Sequence, residues 1–465
     1  MTQEEATRLV GSIYDSIFDT ITKAAPGNKP LMPPATTMLS LAKPAIAITA
    51  KDFRNPWTPG NPVPAGIPAA LNTAALVDDA IKFSGIYTLS GVGISEIYKQ
   101  IMDSVHIKAQ APNPANDKQL DDAFAVLYRK VEVTDSETGE KSMKTVESTL
   151  LTDYNTNWQA YTAAQSVYTA AYLEAQKTLS GKSTWPMMAP SYQVPVKVAY
   201  DKWRSNYADK VEQAQSIMTV SSQNGLSKAF HNAQEVFESY GAVLEDTDGG
   251  MAKKIYRSTL LPSDWYSLTS AGTWATFDSK TSNTSTTNSS DYTAGGGSAG
   301  FSLGIFSVGG GGGHSTTSSH MDTATTDISV TFSYKLVTIR RPWLTFSLFG
   351  TQGWDMTNLY KKGSISNGSK VGQSASKMAL LPTSFVVVKG VTIKAKWSQK
   401  DRDFIKKQTN AGGGFGIGPF QISGSYAHSS SKETFTSSIA GDSIIVPGVQ
   451  IIGWVSQVVP YSPSL

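Results

Sequence analysis

Residues 327–336 read DISVTFSYKL, and this stretch decides the fold of the half of the chain that contains it. Ile328, Val330, Phe332, Tyr334 and Leu336 alternate with Ser329, Thr331, Ser333 and Lys335. A period of two is what an antiparallel strand with one buried face requires, because successive side chains point to opposite sides of the sheet. The alternation recurs where Val391, Ile393, Ala395 and Trp397 are separated by Thr392, Lys394 and Lys396, and again in Leu344, Phe346 and Leu348. From about residue 265 onward the chain therefore reads as β-structure.

Toward the N-terminus the period changes to that of a helix. Tyr154, Trp158, Tyr161, Tyr168, Tyr172 and Ala175 fall on one face, as do Tyr200, Trp203, Tyr207, Val211, Ala214 and Met218. The spacing predicts two helices of roughly 25 residues, each roughly 40 Å long, forming an antiparallel hairpin. Their expected connection, GKSTWPMMAP (181–190), places Trp185, Met187 and Met188 at an apolar tip that would meet a partner, lipid or the β half. Helical patterning also covers AALNTAALVDDAIKFSGIY, ANDKQLDDAFAVLYRKVEV and GLSKAFHNAQEVFESYGAVLED, the last closing at a turn over 246–250. At the start, Leu9, Val10, Ile13, Ile17, Phe18 and Ile21 recur at helical spacing. The prolines of residues 25–68 predict an extended arm on the surface.

The expected class is α+β. An N-terminal helix and Pro-rich arm (1–68) precede a helical domain (69–250) and a Gly/Ser/Thr-rich antiparallel β domain (251–465). Of the 465 residues 40% are hydrophobic and only 17% charged, so neutral polar groups must cover much of the surface. A net charge of +3 is too small to imply nucleic acid, whose phosphates need a concentrated basic face, and no nucleic-acid partner is expected. With no cysteine there are no disulfides, thiolate metal sites or Cys nucleophiles. The acidic opening MTQEEATRLVGSIYDSIFDTI lacks a basic region followed by an apolar run, so no cleavable secretory signal is expected. A cytoplasmic location, or release by a non-classical route, follows. No stretch approaches the roughly 20 apolar residues of a spanning helix.

The β half contains an internal repeat, about 272–345 and 385–460. GIFSVGGGGGHSTTSS (304–319) aligns without gaps on GPFQISGSYAHSSSKE (418–433), matching Phe306 to Phe420, Val308 to Ile422 and His314 to His428. Downstream, Asp327-Ile328-Ser329-Val330 roughly matches Asp442-Ser443-Ile444-Ile445. In the first copy, nearly uncharged Ser/Thr arms flank the apolar run AGFSLGIFSV. The arms with their apolar centre resemble the stem hairpin of β-barrel pore-forming toxins. That resemblance implies polar strands stored against the body that later line a channel, and an apolar tip that enters lipid.

Catalytic motifs fail on their context. Gly296-Gly297-Ser298-Ala299-Gly300 satisfies G-x-S-x-G but has glycine around it and no following helix to strain a nucleophile elbow. Gly181-Lys182-Ser183 lacks the first glycine and preceding strand of a phosphate loop. His314, His320 and Asp322 sit near one turn without a convincing second shell, and Arg257 stands where a calcium loop beginning at Asp246 would need its closing Glu. No catalytic, cofactor or metal site is assigned, and the protein is not expected to be an enzyme. The basic series Lys389, Lys394, Lys396, Lys400, Arg402, Lys406 and Lys407 is expected as a solvated strand and turn, with anionic lipid the alternative.

The leading expectation is a membrane-active protein that forms homo-oligomers and inserts a hairpin spanning 276–331, with 391–438 as a second hairpin. Its lipid-contacting residues would be Phe301, Leu303, Ile305, Phe306, Val308, Phe415, Ile417 and Phe420. The alternative is a structural protein assembling into a filament or particle through its β domain.

Overall fold

The computed structural model describes residues 2–25, 28–107, 114–134, 139–218, 223–245, 252–269, 274–280, 305–309, 317–319, 321–356, 360–373, 375–411, 413–427 and 433–463. The chain opens with helix α1 (Gln3–Thr22), started by a capping box in which Thr2 and Glu5 satisfy each other's backbone N–H groups. Strand β1 (Thr37–Ile48) follows, then α2 (Ile67–Asp78), β2 (Asp79–Ile81), β3 (Leu89–Gly93), α3 (Ile94–Ser104) and β4 (Val105–Ile107). Next come α4 (Pro114–Leu127), the hairpin β5 (Tyr128–Thr134) and β6 (Lys141–Glu147), and the long pair α5 (Thr149–Ala175) and α6 (Leu179–Ser205). Helices α7 (Ala208–Ile217) and α8 (Gln223–Ser239) lead to a second hairpin, β7 (Gly241–Leu244) and β8 (Lys253–Tyr256).

The remaining elements are mostly strands: β9 (Thr259–Leu261), β10 (Ala275–Asp278), β11 (Phe306–Val308), β12 (Thr317–Ser319), β13 (Thr326–Arg340), β14 (Trp354–Met356) and β15 (Leu380–Lys396). After them run α9 (Gln399–Asn410), β16 (Phe415–Ile417), β17 (Phe420–Ser425), β18 (Thr434–Thr436), β19 (Ser438–Ala440), β20 (Ser443–Ile445) and β21 (Val449–Val458). The architecture is α+β. An antiparallel main sheet runs β1-β21-β15-β13-β10, and a smaller sheet runs β12-β11-β16-β17-β18.

Both faces of the main sheet are covered. Val330, Phe332, Tyr334, Val386, Val388 and Ile393 pack beneath α1 and the smaller sheet. Val337, Phe385, Val387, Ile451 and Trp454 face the other way, toward α2, Phe53, Tyr87 and Trp265. The alternation read from DISVTFSYKL is therefore correct, while β21 is buried at nine of its ten positions, Gln450 and Ser456 among them, because it is covered on both sides.

Several expectations need correction. The Pro-rich arm is not wholly on the surface: Thr37–Ile48 is buried at every position and pairs with β21. Its TMLSLAKPAIAI sequence shows no clean alternation because it too is covered on both faces. The helical hairpin turns at Gln176–Thr178, not at 181–190, because Thr178 caps the N–H of Gly181 and starts α6 there. Pro186, Pro190 and Pro195 lie inside α6 on its solvent side, where the carbonyls they leave unpaired can turn to water. The expected continuation from Tyr200 to Met218 breaks at Tyr207, which takes a left-handed conformation with φ of 58° and begins α7. The patterns ending in VLYRKVEV and SYGAVLED turn into strands β5 and β7, and the turn over 246–250 lies outside the described residues.

Of the two stretches expected as a repeat, the first supplies the paired strands β11 and β12 and the second the paired strands β17 and β18, with Phe306 and Phe420 both buried. Downstream, Val330 and Ile444 pair with the same residue, Ile393 of β15, from opposite edges.

Candidate functional site: a stored strand beneath α1

The excursion between β10 and β13 leaves the main sheet and returns to it at adjacent positions. Asp278 pairs with Thr331, and the N–H of Ser279 still donates to the carbonyl of Val330. β10 is the outer strand of the sheet order and only four residues long, so among the described residues β13 beyond Val330 has no named strand beside it on that side. Between 281 and 326 the sequence holds only Asp291 and Asp322 as charges.

The described part of the excursion's apolar centre, Ile305 to Val308, is stored in the body. Ile305 and Phe306 are 2% and 1% exposed, and Val308 packs partly buried against the same core. β11 is held by β16 through Phe306↔Ile417 and Val308↔Phe415, flanked by backbone bonds from Gly418 to Ile305 and from Gly309 to Gly414. Phe306 also meets Phe404 of α9 and Phe415, at ring separations of 5.4 and 5.7 Å. Val10 and Ile13 of α1 enclose Ile305 from above, leaving a void of only about 10 Å³. Ser307 points the other way, and its buried hydroxyl has no hydrogen-bond partner among the described residues. A Cβ on Gly416 would come within 2.5 Å of that hydroxyl oxygen, which is why glycine stands opposite it.

The returning arm is latched by a carboxylate. Asp401, 3% exposed, accepts from the N–H of Asp322 and from the Thr325 hydroxyl at 2.6 Å, while Thr325 Oγ1 accepts from the Ser398 N–H. Sequence reasoning missed this residue. Its signal was present: Ser398-x-x-Asp401 is a helix N-terminal pattern, and Ser398 does cap α9 by accepting from the Asp401 N–H. The stretch expected as a basic strand and turn is in fact the end of β15 plus this helix. Several of its cations are engaged locally. Lys396 pairs with Asp327, Arg402 with Asp442, and Lys389 lies 4.2 Å over Trp274.

Other expected site residues fall elsewhere. Phe415, Ile417 and Phe420 are buried in β16 and β17, and residues 391–438 run through a strand, a helix and three further strands instead of forming one hairpin. Trp185 is not at an exposed tip. It is buried within the helical pair against Tyr168, Tyr172 and Tyr192. Met187 and Met188 are exposed, at 84% and 47%, but along the flank of α6. With Val194 and Val198, 60% and 63% exposed, Met187 forms a solvent-facing apolar stripe at helical spacing. Phe301, Leu303, His314, His320, His428 and the 296–300 motif lie outside the described residues.

Burial also shifts titrating groups on α1 and β13. Asp15 of α1 is pushed up to about 6, first by desolvation and then by the neighbouring Asp19, and its Oδ1 is buried without a hydrogen-bond partner among the described residues. Lys335, on the opposite sheet face, is lowered to about 8 by burial. Among the described residues no cluster of three or more His, Asp or Glu could hold a metal, and no helix is long and apolar enough to cross a membrane. Comparison with protein-family models, curated proteins and solved structures gives no match.

Proposed function

We propose that the protein is a non-enzymatic, membrane-active protein that oligomerises and inserts the 276–331 excursion as a β-hairpin. The observation that carries this reading is the way the excursion is held. A long segment, almost free of charge, is rooted on an antiparallel pair at Asp278↔Thr331. Its apolar centre is tucked under α1 by a ladder only three residues long. Extending the root needs only continued pairing along β13, and a membrane strand takes roughly 9–11 residues. Lone edges are not tolerated in lipid, because each unpaired backbone group costs several kcal/mol, so insertion requires closure among copies. The exposed stripe of Met187, Val194 and Val198 offers a surface for first contact with the bilayer.

The second reading, lateral assembly into a filament or particle, draws on β18, which among the described residues pairs on one side only in the smaller sheet. One experiment separates them. Val308 and Phe415 are directly opposed between flanking hydrogen-bonded positions, the closer kind of antiparallel pair. A Val308→Cys/Phe415→Cys protein, in a chain with no other cysteine, ties the stored strand to β16 when oxidised. Oxidised protein should bind vesicles of mixed zwitterionic and anionic lipid without releasing an entrapped dye, and reduction should restore release. If wild-type and reduced protein release no dye from any vesicle yet form ordered filaments or shells, the insertion reading fails and assembly replaces it.

A further inference from the structure

Beyond β1 the Pro-rich arm forms a closed loop over residues 55–66. The Trp57 N–H donates to the Gly66 carbonyl at 2.8 Å, and a Cβ on Gly66 would come within 2.5 Å of the Asn55 carbonyl oxygen. Thr58 and Asn61 bond each other's backbone across the Pro59-Gly60 turn, and Thr58 Oγ1 also accepts from the Asn61 N–H. Trp57 anchors the loop against Ala70 and Ala74 of α2 and Ile255 of β8. Around this anchor Pro56, Pro59, Pro62, Val63 and Pro64 are all exposed, Val63 by half. The stretch 55–68, NPWTPGNPVPAGIP, carries no charge. A pre-shaped, uncharged apolar knob loses little conformational freedom when another surface covers it.

A groove of about 880 Å³ lies between α5, α6 and the segment 28–31. Rings line it. Tyr161 stacks on Trp203 at 5.5 Å and meets Tyr200 edge-on at 5.3 Å, while Trp158 and Tyr200 stay 36% and 43% exposed. The charges of its α6 wall are already matched: Lys197 pairs with Asp201, and Arg204 with Glu212, each at 2.7 Å. An uncharged occupant is therefore the electrostatic complement of this wall. Proline-rich segments dock on exposed aromatic rings, because their backbone is fixed in advance and their ring C–H bonds meet the electron-rich aromatic faces. The knob does not line the groove of its own chain. Its support, α2, covers the Val337 and Phe385 face of the main sheet, whereas α5 packs Ala170 on the Val330 and Phe332 face. Two patches on opposite faces meet between copies, head to tail, and such a contact closes into a ring or continues as a filament.

We propose that the proline knob of one copy docks in the aromatic groove of the next, with Pro59, Pro62 and Val63 against Trp158 and Tyr200. This contact goes beyond membrane insertion, since it would serve a ring or a filament alike. The chain has no cysteine, so single cysteines report it. Pro59→Cys protein is mixed with size-tagged Lys197→Cys protein and treated with a short bis-maleimide, in solution and on vesicles of mixed zwitterionic and anionic lipid. Lys118→Cys is the matched control, because Lys118 and Lys197 are both 77% exposed and each pairs with an aspartate four residues on. Heterodimers through Lys197→Cys should form faster than through Lys118→Cys by a factor of roughly ten or more, since docking raises the local thiol concentration. Trp158→Ala in the groove, or Val63→Asp in the knob, should each remove most of that preference. A chain carrying both Pro59→Cys and Lys197→Cys should give a ladder of multimers. Equal rates for the two lysine positions in both settings, or a preference indifferent to Trp158→Ala and Val63→Asp, would overturn the proposal. Preferred cross-linking by a protein that releases no dye would uphold this contact and count against insertion alone.

Discussion

At the scale of single residues, burial sets both the stability of the sheet and the pH response of the helix that covers it. Trp397, 6% exposed, closes the end of β15, and its indole N–H donates to the carbonyl of Asp442 at 2.9 Å. Trp397→Asp removes that bond and leaves a carboxylate in an apolar site, so chemical denaturation should show a loss of several kcal/mol. Asp15 acts in the opposite sense. Its folded pKa of about 6 lies above the ordinary 3.8, so its favourable contribution is complete below 3.8 and is lost as pH rises through 6. Asp15→Asn should therefore raise the melting temperature at neutral pH and leave it nearly unchanged below pH 3.8. A melting temperature equally raised at both pH values would mean that charge is not the cause. Asp401 gives a third test at this scale. Replacing it with Ala removes the carboxylate that accepts from the Asp322 N–H and the Thr325 hydroxyl, and depriving a buried donor of its acceptor costs about 1–3 kcal/mol. If the latch restrains the returning arm, Asp401→Ala should release dye from vesicles faster than wild type, against a matched loss of global stability as control.

At the scale of elements, the sequence was legible where one face of an element is buried and the other is wet. The strands at 328–336 and 391–397, the first helix and the aromatic stripes of α5 and α6 all have that character. It was illegible where burial is two-sided or one local bond overrides periodicity. β1 and β21 lack alternation because both faces are covered, and the Tyr207 break interrupts a stripe that reads as continuous. The stored strand was visible as an apolar island, but its latch was hidden because Asp401 sits among cations in sequence and meets Thr325 only after folding. In the helical pair, Trp203 stacks on Tyr161 at 5.5 Å and meets Tyr154 and Tyr200. Trp203→Ala should cost about 3 kcal/mol, toward the lower end for a buried aromatic because a solvent-reaching groove already borders the ring. The outer face of α6 should behave differently. Met187→Asp with Val194→Asp touches no buried group, so stability should stay within about 0.5 kcal/mol while vesicle binding falls. Unchanged binding would remove this stripe from the membrane-contact surface.

At the scale of the whole molecule, the order of the chain and the order of the layers do not coincide. The first 48 residues supply α1, which covers one face of the main sheet, and β1, which closes its edge against β21. The segment 251–465 alone would leave β21 as a bare edge, with Val449, Ile451, Ile452, Trp454 and Val455 each buried to within 3% in the intact chain. It would also uncover the core beneath Val10, Ile13, Tyr14 and Ile17, all at most 1% exposed. At roughly 25 cal/mol per Å² of apolar surface, losing a helix and a strand from such a core outweighs the 5–15 kcal/mol that typically separates folded from unfolded domains. An open apolar edge is also a template for pairing with other chains. A fragment of residues 251–465 should therefore aggregate, or show poorly dispersed amide resonances with no cooperative melt. Co-expression with residues 1–66 should recover soluble complex, because that piece returns both α1 and β1. A cooperative, monomeric 251–465 fragment would show instead that the sheet closes without its first strand. In that event α1 and β1 would be removable covers, and displacement of α1 would become the natural trigger for releasing β11.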